Sequence, residues 1–456
     1  MSAIMLSVTK VLAEFLASLR YEDIPDEVKT RAKHHILDWI GVAVAGSSAK
    51  TSRIIADFIR RAGGKEEATL IGYREKAPCV NAAFANGFMG HVLELDDGDV
   101  PRSYVHPATC ANPAALATAE VMGASGKDYI TAIVAGYEAM IRIGASIKLK
   151  HYGKLGFHST GTCGTFGAAV AAGKILDLNS EEMAYAIGLA ACQAAGLTIG
   201  FGSDAKPFHA GKAAMNGVIA AMLAKEGITG PTTTLDGKGF DYAYTGGEPN
   251  SEAIIRDLGK DWMIMGCYMK RYPCAFQEIF TIVDLVKEHD IKPEDVDEVL
   301  VELRQSWLKG HGYYTDGSSV TSAKCSLPYC VAVAIMDRQV GLEQFTWQRI
   351  RDPKLLEFMR QKVKIIPSSL PDDAWEEKRF PWVTIKTKDG KTFRADYVPR
   401  KDFVGGDKWS KEMLQEKFVY LASRELPKEK VSKIIEIVNK LEEIADIREL
   451  TYLLVP

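Results

Sequence analysis

The stretch Gly161-Thr-Cys-Gly-Thr-Phe-Gly-Ala-Ala-Val-Ala-Ala-Gly173 decides the fold class. Its small residues make a face on which helix backbones approach closely, as in a crowded bundle. A membrane dimer face would need a longer apolar run than this. Working outward, residues 7 to about 226 repeat apolar side chains at i, i+3, i+4 spacing, which predicts helices almost throughout. The segments are Ile24–Ala45, Ser52–Ala62, Ala77–Leu95, Pro113–Met122, Lys127–Ile147, Gly161–Leu176, Ser180–Ala195 and Pro207–Glu226. Start signals stand at Asn112-Pro113, at Asn179-Ser180-Glu181-Glu182 and at Lys206-Pro207. An amphipathic helix is expected within Met1–Arg20.

The pattern changes after about residue 265. Val296–Gln305 alternates as a strand, and Lys362–Ile366 is a second short one. Trp382–Lys386 and Phe393–Tyr397 flank Asp389-Gly390, a hairpin signal. Helices are expected at Gln277–Glu288, Pro328–Asp337 and Pro353–Gln361. The charged amphipathic segments Lys411–Ser423 and Lys428–Leu441 close the chain. The fold class is therefore mainly α: a large all-helical domain (1–265), a smaller α+β domain (266–404) and C-terminal helices (405–456) returning to the first.

The 456 residues are 47% hydrophobic and 25% charged, which excludes a disordered chain, a collagen and a small disulfide scaffold. Lysine and arginine number 56 against 59 acidic residues, a net charge of −3. This balance leaves no electrostatic footprint for nucleic acid. A local pocket for a small anion remains compatible with it. No uninterrupted apolar run approaches the roughly 20 residues that span a bilayer. No secretory signal opens the chain, so a cytoplasmic protein is expected. The eight cysteines are scattered, form no C-x-x-C pair, and read as reduced buried thiols rather than metal or cluster ligands.

Four places can carry chemistry. His91-Val-Leu-Glu-Leu-Asp96-Asp97-Gly-Asp99 closes a predicted helix. His106-Pro107, Phe157-His158-Ser159-Thr160-Gly161 and Ser203-Asp204-Ala-Lys206-Pro207-Phe208-His209 each run into the next one. The following proline predicts extended backbone at His106 and Lys206. Helix starts offer free N–H donors and the positive dipole end, so three converging starts would receive a carboxylate-rich substrate. Asp96 and Asp97 would orient a histidine or supply a carboxylate base. The acidic run does not complete a calcium loop. His209 reads as a satisfied core histidine, and His34, His35, His289 and His311 lack companions at metal spacing.

Taken together, His91-x4-Asp96-Asp97, His106-Pro107, Gly156-Phe157-His158-x-Thr160-Gly161-Thr162, Lys206-Pro207-Phe208-His209-Ala-Gly, Lys270-Arg271-Tyr272-Pro273 and Ser326-Leu327-Pro328-Tyr329 resemble the MmgE/PrpD family. That family includes 2-methylcitrate dehydratase, cis-aconitate decarboxylase and iminodisuccinate epimerase. The resemblance implies a homodimer that acts on a small carboxylate substrate without metal or organic cofactor, at a site between the domains. It assigns catalytic positions to Asp96, His106, His158 and Lys206, and substrate contacts to Tyr152, Lys270, Arg271 and Gln277. Two positions depart from the pattern. Gln277 stands where the dehydratase branch carries a histidine in Pro-x-x-Phe-His; decarboxylases also place a histidine shortly after that proline, and none occurs here between Pro273 and Glu288. Val100 stands where decarboxylases carry a threonine. The implied chemistry is proton abstraction through an enediolate-like carbanion, with Lys206 and helix N–H groups as fixed donors. His158 and His106 would divide the acid and base roles. Dehydration of a hydroxy acid leads the reading. Decarboxylation or isomerisation of the same carbanion is the alternative, and a non-catalytic helical interaction protein is a third.

Overall fold

A computed structural model of the chain describes residues 7–99, 102–304, 308, 318–371, 375, 379–398 and 409–456. Val100, Gln305, His311 and the expected boundary at 404/405 lie outside the described residues. The helical region contains α1 Val8–Ser18, α2 Asp26–Ser47, α3 Lys50–Ala62, α4 Cys79–Met89, α5 Ala108–Met122, α6 Gly126–Leu149, α7 Ser159–Ile175, α8 Ser180–Ala191 and α9 Ala205–Lys225. The small-residue helix α7 lies at its centre, packed on α5, α6, α8 and α9. A Cβ added at Gly167 would come within 3.0 Å of the Gly136 carbonyl oxygen on α6, and one at Gly217 on α9 within 2.4 Å of Ala168. The helix axes are therefore closer than any side chain larger than hydrogen permits at those crossings. Asn179 caps α8, accepting from the N–H groups of Glu181 (2.9 Å) and Glu182 (3.0 Å), while Glu182 takes the Asn179 N–H.

Three of the helix boundaries that differ from the sequence expectation bear on the site. α4 ends at Met89 rather than Leu95. Val92, Leu93 and Leu95 continue the apolar pattern because they fill a small cluster with Val42, Ala45, Phe88 and Leu421, not because the helix continues. α5 begins at Ala108 after Pro107, and Pro113 lies inside it. α9 begins at Ala205, so Lys206 sits in its first turn and not in extended backbone. Proline is tolerated there because first-turn N–H groups have no intrahelical partner.

α6 is apolar and long enough to cross a membrane by composition, but nearly all of it is buried within the protein. It carries the buried Glu138–Arg142 pair (2.7 Å), whose groups also bind the 254–263 backbone.

Four two-residue strands brace the helical region: β1 Ala68–Thr69 with β2 Lys76–Ala77, and β3 Asp97–Gly98 with β4 Tyr268–Met269. The smaller region carries β5 Val296–Leu303, β6 Val363–Pro367, β7 Phe380–Thr387 and β8 Thr392–Tyr397, in sheet order β6-β5-β7-β8. β5 and β6 run parallel, and the other neighbours are antiparallel. The β7–β8 hairpin turns at Asp389-Gly390, with Gly390 at φ +84°. One apolar core spans Leu12 to Met269 and takes in Leu414 to Leu454; a second spans Cys274 to Tyr397. Seven cysteines are buried free thiols, and Cys192 is exposed, unlike the expectation for it.

Candidate active site

Where α4 stops, the chain turns through Gly90–Leu95 into β3. Glu94 takes φ +55°, a left-handed conformation uncommon for a residue with a side chain. β3 pairs with β4, which sets Asp96 beside Lys270; the Lys270 N–H donates to the Asp96 carbonyl (3.3 Å). Lys417, from the helix Lys411–Ala422, fastens both segments from behind. Its Nζ donates to the carbonyls of Leu95 (3.0 Å) and Lys270 (2.7 Å) and pairs with Asp38 (2.5 Å).

The turn presents a buried ionic cluster. Glu94 lies between Lys206 of α9 and Lys270 Nζ (3.3 Å), and Lys270 also reaches Asp96 Oδ1 (3.4 Å). None of these side chains is more than 6% exposed. Burial opposes ionisation of Glu94, but Lys206 and Lys270 outweigh it and hold the carboxyl well below its ordinary range. Asp96 is likewise depressed, because Lys270, His91 and His106 overcome its burial. For Lys270, the two carboxylates overcome burial and raise the ammonium above its ordinary range. Two cations and two anions thus stabilise one another inside the protein, where losing any one partner strands a charge.

The other Asp96 oxygen, Oδ2, lies near two imidazoles, His91 Nδ1 at 3.1 Å and His106 Nδ1 at 3.0 Å, without hydrogen-bond geometry to either. His106 Nδ1 also lies 2.5 Å from the Asp97 carbonyl oxygen. Both oxygens only accept, so neutral His106 carries its proton on Nδ1 and keeps the Nε2 lone pair. His106 is held below the ordinary histidine range by burial and by Lys270. The His91 ring stacks on His158 (centroids 6.1 Å, 14°) and approaches His106 (5.1 Å). His158 is the N-cap residue of α7, 1% exposed, and burial with neighbouring His209 and Lys206 keeps it well below the ordinary range. Phe201 closes the ring, edge-on to His158 (4.9 Å) and under Lys206 Nζ (5.2 Å).

Adjacent Asp96 and Asp97 do different work because successive side chains of an extended segment point to opposite faces. Asp97 turns away from the cluster. It accepts from the Ala108 N–H at the start of α5 (3.0 Å) and from Tyr137 Oη (2.7 Å), with His35 Nδ1 at 3.0 Å. The α5 start is therefore taken by the protein's own carboxylate, and burial pushes Asp97 up to about 6.

The structure thus brings together Asp96, His106, His158, Lys206 and Lys270. Tyr152 stands one layer out, stacked on Tyr104 (5.2 Å, 9°) and 6.1 Å from the Phe201 ring. Arg271 and Gln277 do not join the cluster. They line a cavity of about 320 Å³ whose walls contain none of Asp96, His106, His158 or Lys206. Arg271 is exposed. The Gln277 amide is spent on its own loop: Oε1 accepts from the N–H groups of Arg271 (2.9 Å) and Tyr272 (3.2 Å), and Nε2 donates to the carbonyls of Tyr272 (2.9 Å) and Cys274 (2.8 Å). The sequence reading left Glu94 and His91 unassigned although both lie in the stretch that holds Asp96. It also took His209 for a core histidine. His209 is half-buried, and its Nδ1 lies 3.1 Å from His158 Nδ1. Among the described residues, no group of three or more His, Cys, Asp or Glu is disposed to hold a metal ion.

The chain is 27% identical over 470 residues to the human cis-aconitate decarboxylase, covering 98% of this chain and 94% of that protein. It is 26% identical to the mouse cis-aconitate decarboxylase (98% and 93%) and 27% identical to that of Aspergillus terreus strain NIH 2624 (98% and 96%). The MmgE/PrpD N-terminal domain model matches residues 10–253 and the C-terminal domain model residues 275–443. With both halves matched, and with the motif residues Asp96, His106, His158 and Lys206 drawn into one buried cluster, the chain belongs to the MmgE/PrpD family of enzymes.

Proposed function

We propose that the protein is a lyase that decarboxylates a small unsaturated tricarboxylate of the cis-aconitate kind. The observation that carries this reading is the enclosed cluster of Lys206, Lys270, His106 and His158: fixed cations beside imidazoles able to move a proton. In such an acid, the carboxylate on the methylene carbon leaves as CO₂. Its electron pair enters the neighbouring double bond, and charge collects on the carbon that bears another carboxylate. Lys206 stabilises that enediolate-like charge from a desolvated position, where a preorganised cation acts most strongly. An imidazole Nε2–H then delivers the proton that completes the product.

The names of the similar proteins favour decarboxylation over the dehydration that led the sequence reading. The same reading takes the enzyme as a homodimer that works without metal or organic cofactor. Exhaustive chelation should leave its activity intact, and light scattering should find twice the 50.0 kDa of one chain.

A substrate panel tests the reading. Purified protein with cis-aconitate should release CO₂ and give one unsaturated dicarboxylate. Formation of an unsaturated acid from 2-methylcitrate without CO₂ would return the reading to dehydration. Solvent deuterium entering a dicarboxylate without net conversion would return it to isomerisation.

A further inference from the structure

A decarboxylase consumes one proton in every turnover, because the carbanion left when a carboxylate departs as CO₂ must take up a hydrogen. His158 is 1% exposed, so whatever proton it gives up must be replaced through a neighbour. His209 is that neighbour. It lies one turn along α9 from Lys206, is half-buried, and places its Nδ1 3.1 Å from His158 Nδ1, the rings tilted by 51°.

Three glycines shape the space around this pair. A Cβ at Gly161 would stand 3.0 Å from His209 Cβ. One at Gly196 would stand 3.4 Å from His209 Cγ and 3.5 Å from His158 Cβ, and one at Gly200 3.1 Å from His209 Cε1. The His158 N–H is in turn tied to the Gly196 carbonyl at 3.0 Å. Both imidazoles are thus held in place by tight backbone.

The geometry points to a proton relay in which His209 recharges His158 from solvent between turnovers. Two nitrogens 3.1 Å apart can hold one proton between them, never two, so the pair has two arrangements. At rest His209 carries its proton on Nδ1 and His158 carries its own on Nε2. His209 takes a proton from solvent at Nε2 and passes its Nδ1 hydrogen to His158 Nδ1, so that His158 becomes an imidazolium as it gives its Nε2 hydrogen to the substrate carbon. Both rings are left neutral, and tautomer exchange between turnovers returns the protons to His209 Nδ1 and His158 Nε2. No other reactant is needed. Within the fold, His158 faces His91, His106 and Lys206 besides His209, and His209 faces Lys206 and Lys212. Burial first, and these cations after it, keep both rings neutral at rest, so a proton taken from solvent passes on rather than staying. This inference rests on the decarboxylation reading for its chemistry but not for its geometry.

His209→Ala opens the outer end of the relay. With cis-aconitate, kcat should fall about 10²-fold, the usual weight of a lost acid–base group, with KM little changed. Added imidazole should restore the rate in a saturable manner. His209→Asn should be as slow as His209→Ala, because an amide keeps the hydrogen bond to His158 yet cannot release a proton and take up another. A folded His209→Ala protein that ignores imidazole, or a His209→Asn protein at native rate, overturns the relay. If His209→Ala does not fold, His209→Asn alone decides. ¹⁵N-histidine NMR of the resting protein separates this inference from the function reading. His158 and His209 should titrate as a coupled pair in the native protein, and His158 should lose that coupling in His209→Asn. Independent titration of the two overturns the relay even if CO₂ is released. Coupled titration in a protein that releases no CO₂ upholds the relay and rejects the decarboxylase.

Discussion

The molecule contains the same ionic arrangement twice, one glutamate between two lysines, and the two copies do unlike things. In the helical region Glu94 sits between Lys206 and Lys270 with almost no exposure. On the sheet of the smaller region, Glu298 of β5 sits between Lys364 of β6 (2.6 Å) and Lys386 of β7 (2.9 Å), with the lysines 60% and 46% exposed. Hydrogen bonds from Lys364 and Lys386 bring the Glu298 carboxyl down to about 2. Those bonds compete with water at every moment, and salt screens them. Around Glu94 water is excluded, so every charge depends on its partners and is screened little by solvent. What separates the two triads is burial, not the identity of the charged groups.

The sharpest way to break this comparison is Lys206→Ala. We expect kcat/KM to fall by about 10² to 10³, the usual cost of one positioned charge-stabilising donor. Stability should fall by about 3 kcal/mol or more, because half of Glu94's charge compensation is lost inside the protein. Urea denaturation of Lys206→Ala, Glu94→Gln and the double variant should show strong coupling. A rate within a few-fold of native, with circular dichroism unchanged, would make Lys206 only a helix-start residue.

Acid provides the second test. Burial leads the forces that hold His34, His35, His106, His151, His158 and His209 below the ordinary histidine range, His151 at about 4. The unfolded chain takes up protons at these groups as pH falls through about 6.5, and the folded chain does not, so their contribution is lost on acidification. Asp38 and Asp97, raised to about 6 by burial, act in the opposite sense: the folded form binds the extra protons between about 4 and 6. Burial also raises Asp99, Glu138 and Asp241, so six imidazoles stand against five carboxyls; the imidazoles set the net sign, and the urea midpoint should drop from pH 7 to pH 5. A flat profile would mean the imidazoles are more solvated than their burial states.

Gln277→His is expected to loosen the Arg271–Gln277 loop by about 1–3 kcal/mol, since backbone groups satisfied by the amide lose their partners. It should bring no new dehydration of 2-methylcitrate. A clear gain of that activity in a folded variant would place position 277 within reach of substrate. The smallest effect is reserved for Lys364→Ala on the sheet. Its urea midpoint should match native within error in moderate salt, and a large loss there would erase the contrast between the two triads.

Much of this was legible in the chain. The small-residue run of α7, the Asn179 capping box and the Asp389-Gly390 hairpin are local signals, and local physics produced them. Asp96, His106, His158 and Lys206 were found through a motif resemblance, and they do meet. Glu94 escaped because its meaning depends on Lys270, 176 residues away. Lys417 escaped because its partners, Asp38 and the carbonyls of Leu95 and Lys270, are spread over three separate segments. The end of α4 was misplaced for a related reason: periodicity registers that Val92, Leu93 and Leu95 are buried but cannot say against what. His209 was taken for packing because one exposed edge and one imidazole neighbour leave no trace in spacing.

Lys417 also has a consequence for how the protein is made. The chain emerges from the ribosome in order, at about 5–20 residues per second. The sheet and its core, Cys274 to Tyr397, are synthesised before the helix Lys411–Ala422 exists. The older, larger half must wait for them: its core is unsealed until Leu414 to Leu454 arrive, and the Asp96 and Lys270 backbones are not clasped until Lys417 does. The middle of the polypeptide can therefore finish folding before its beginning. A nascent chain halted near residue 400 would hold Asp96, His106, His158, Lys206 and Lys270 and still present an open, apolar surface to chaperones instead of an assembled cluster.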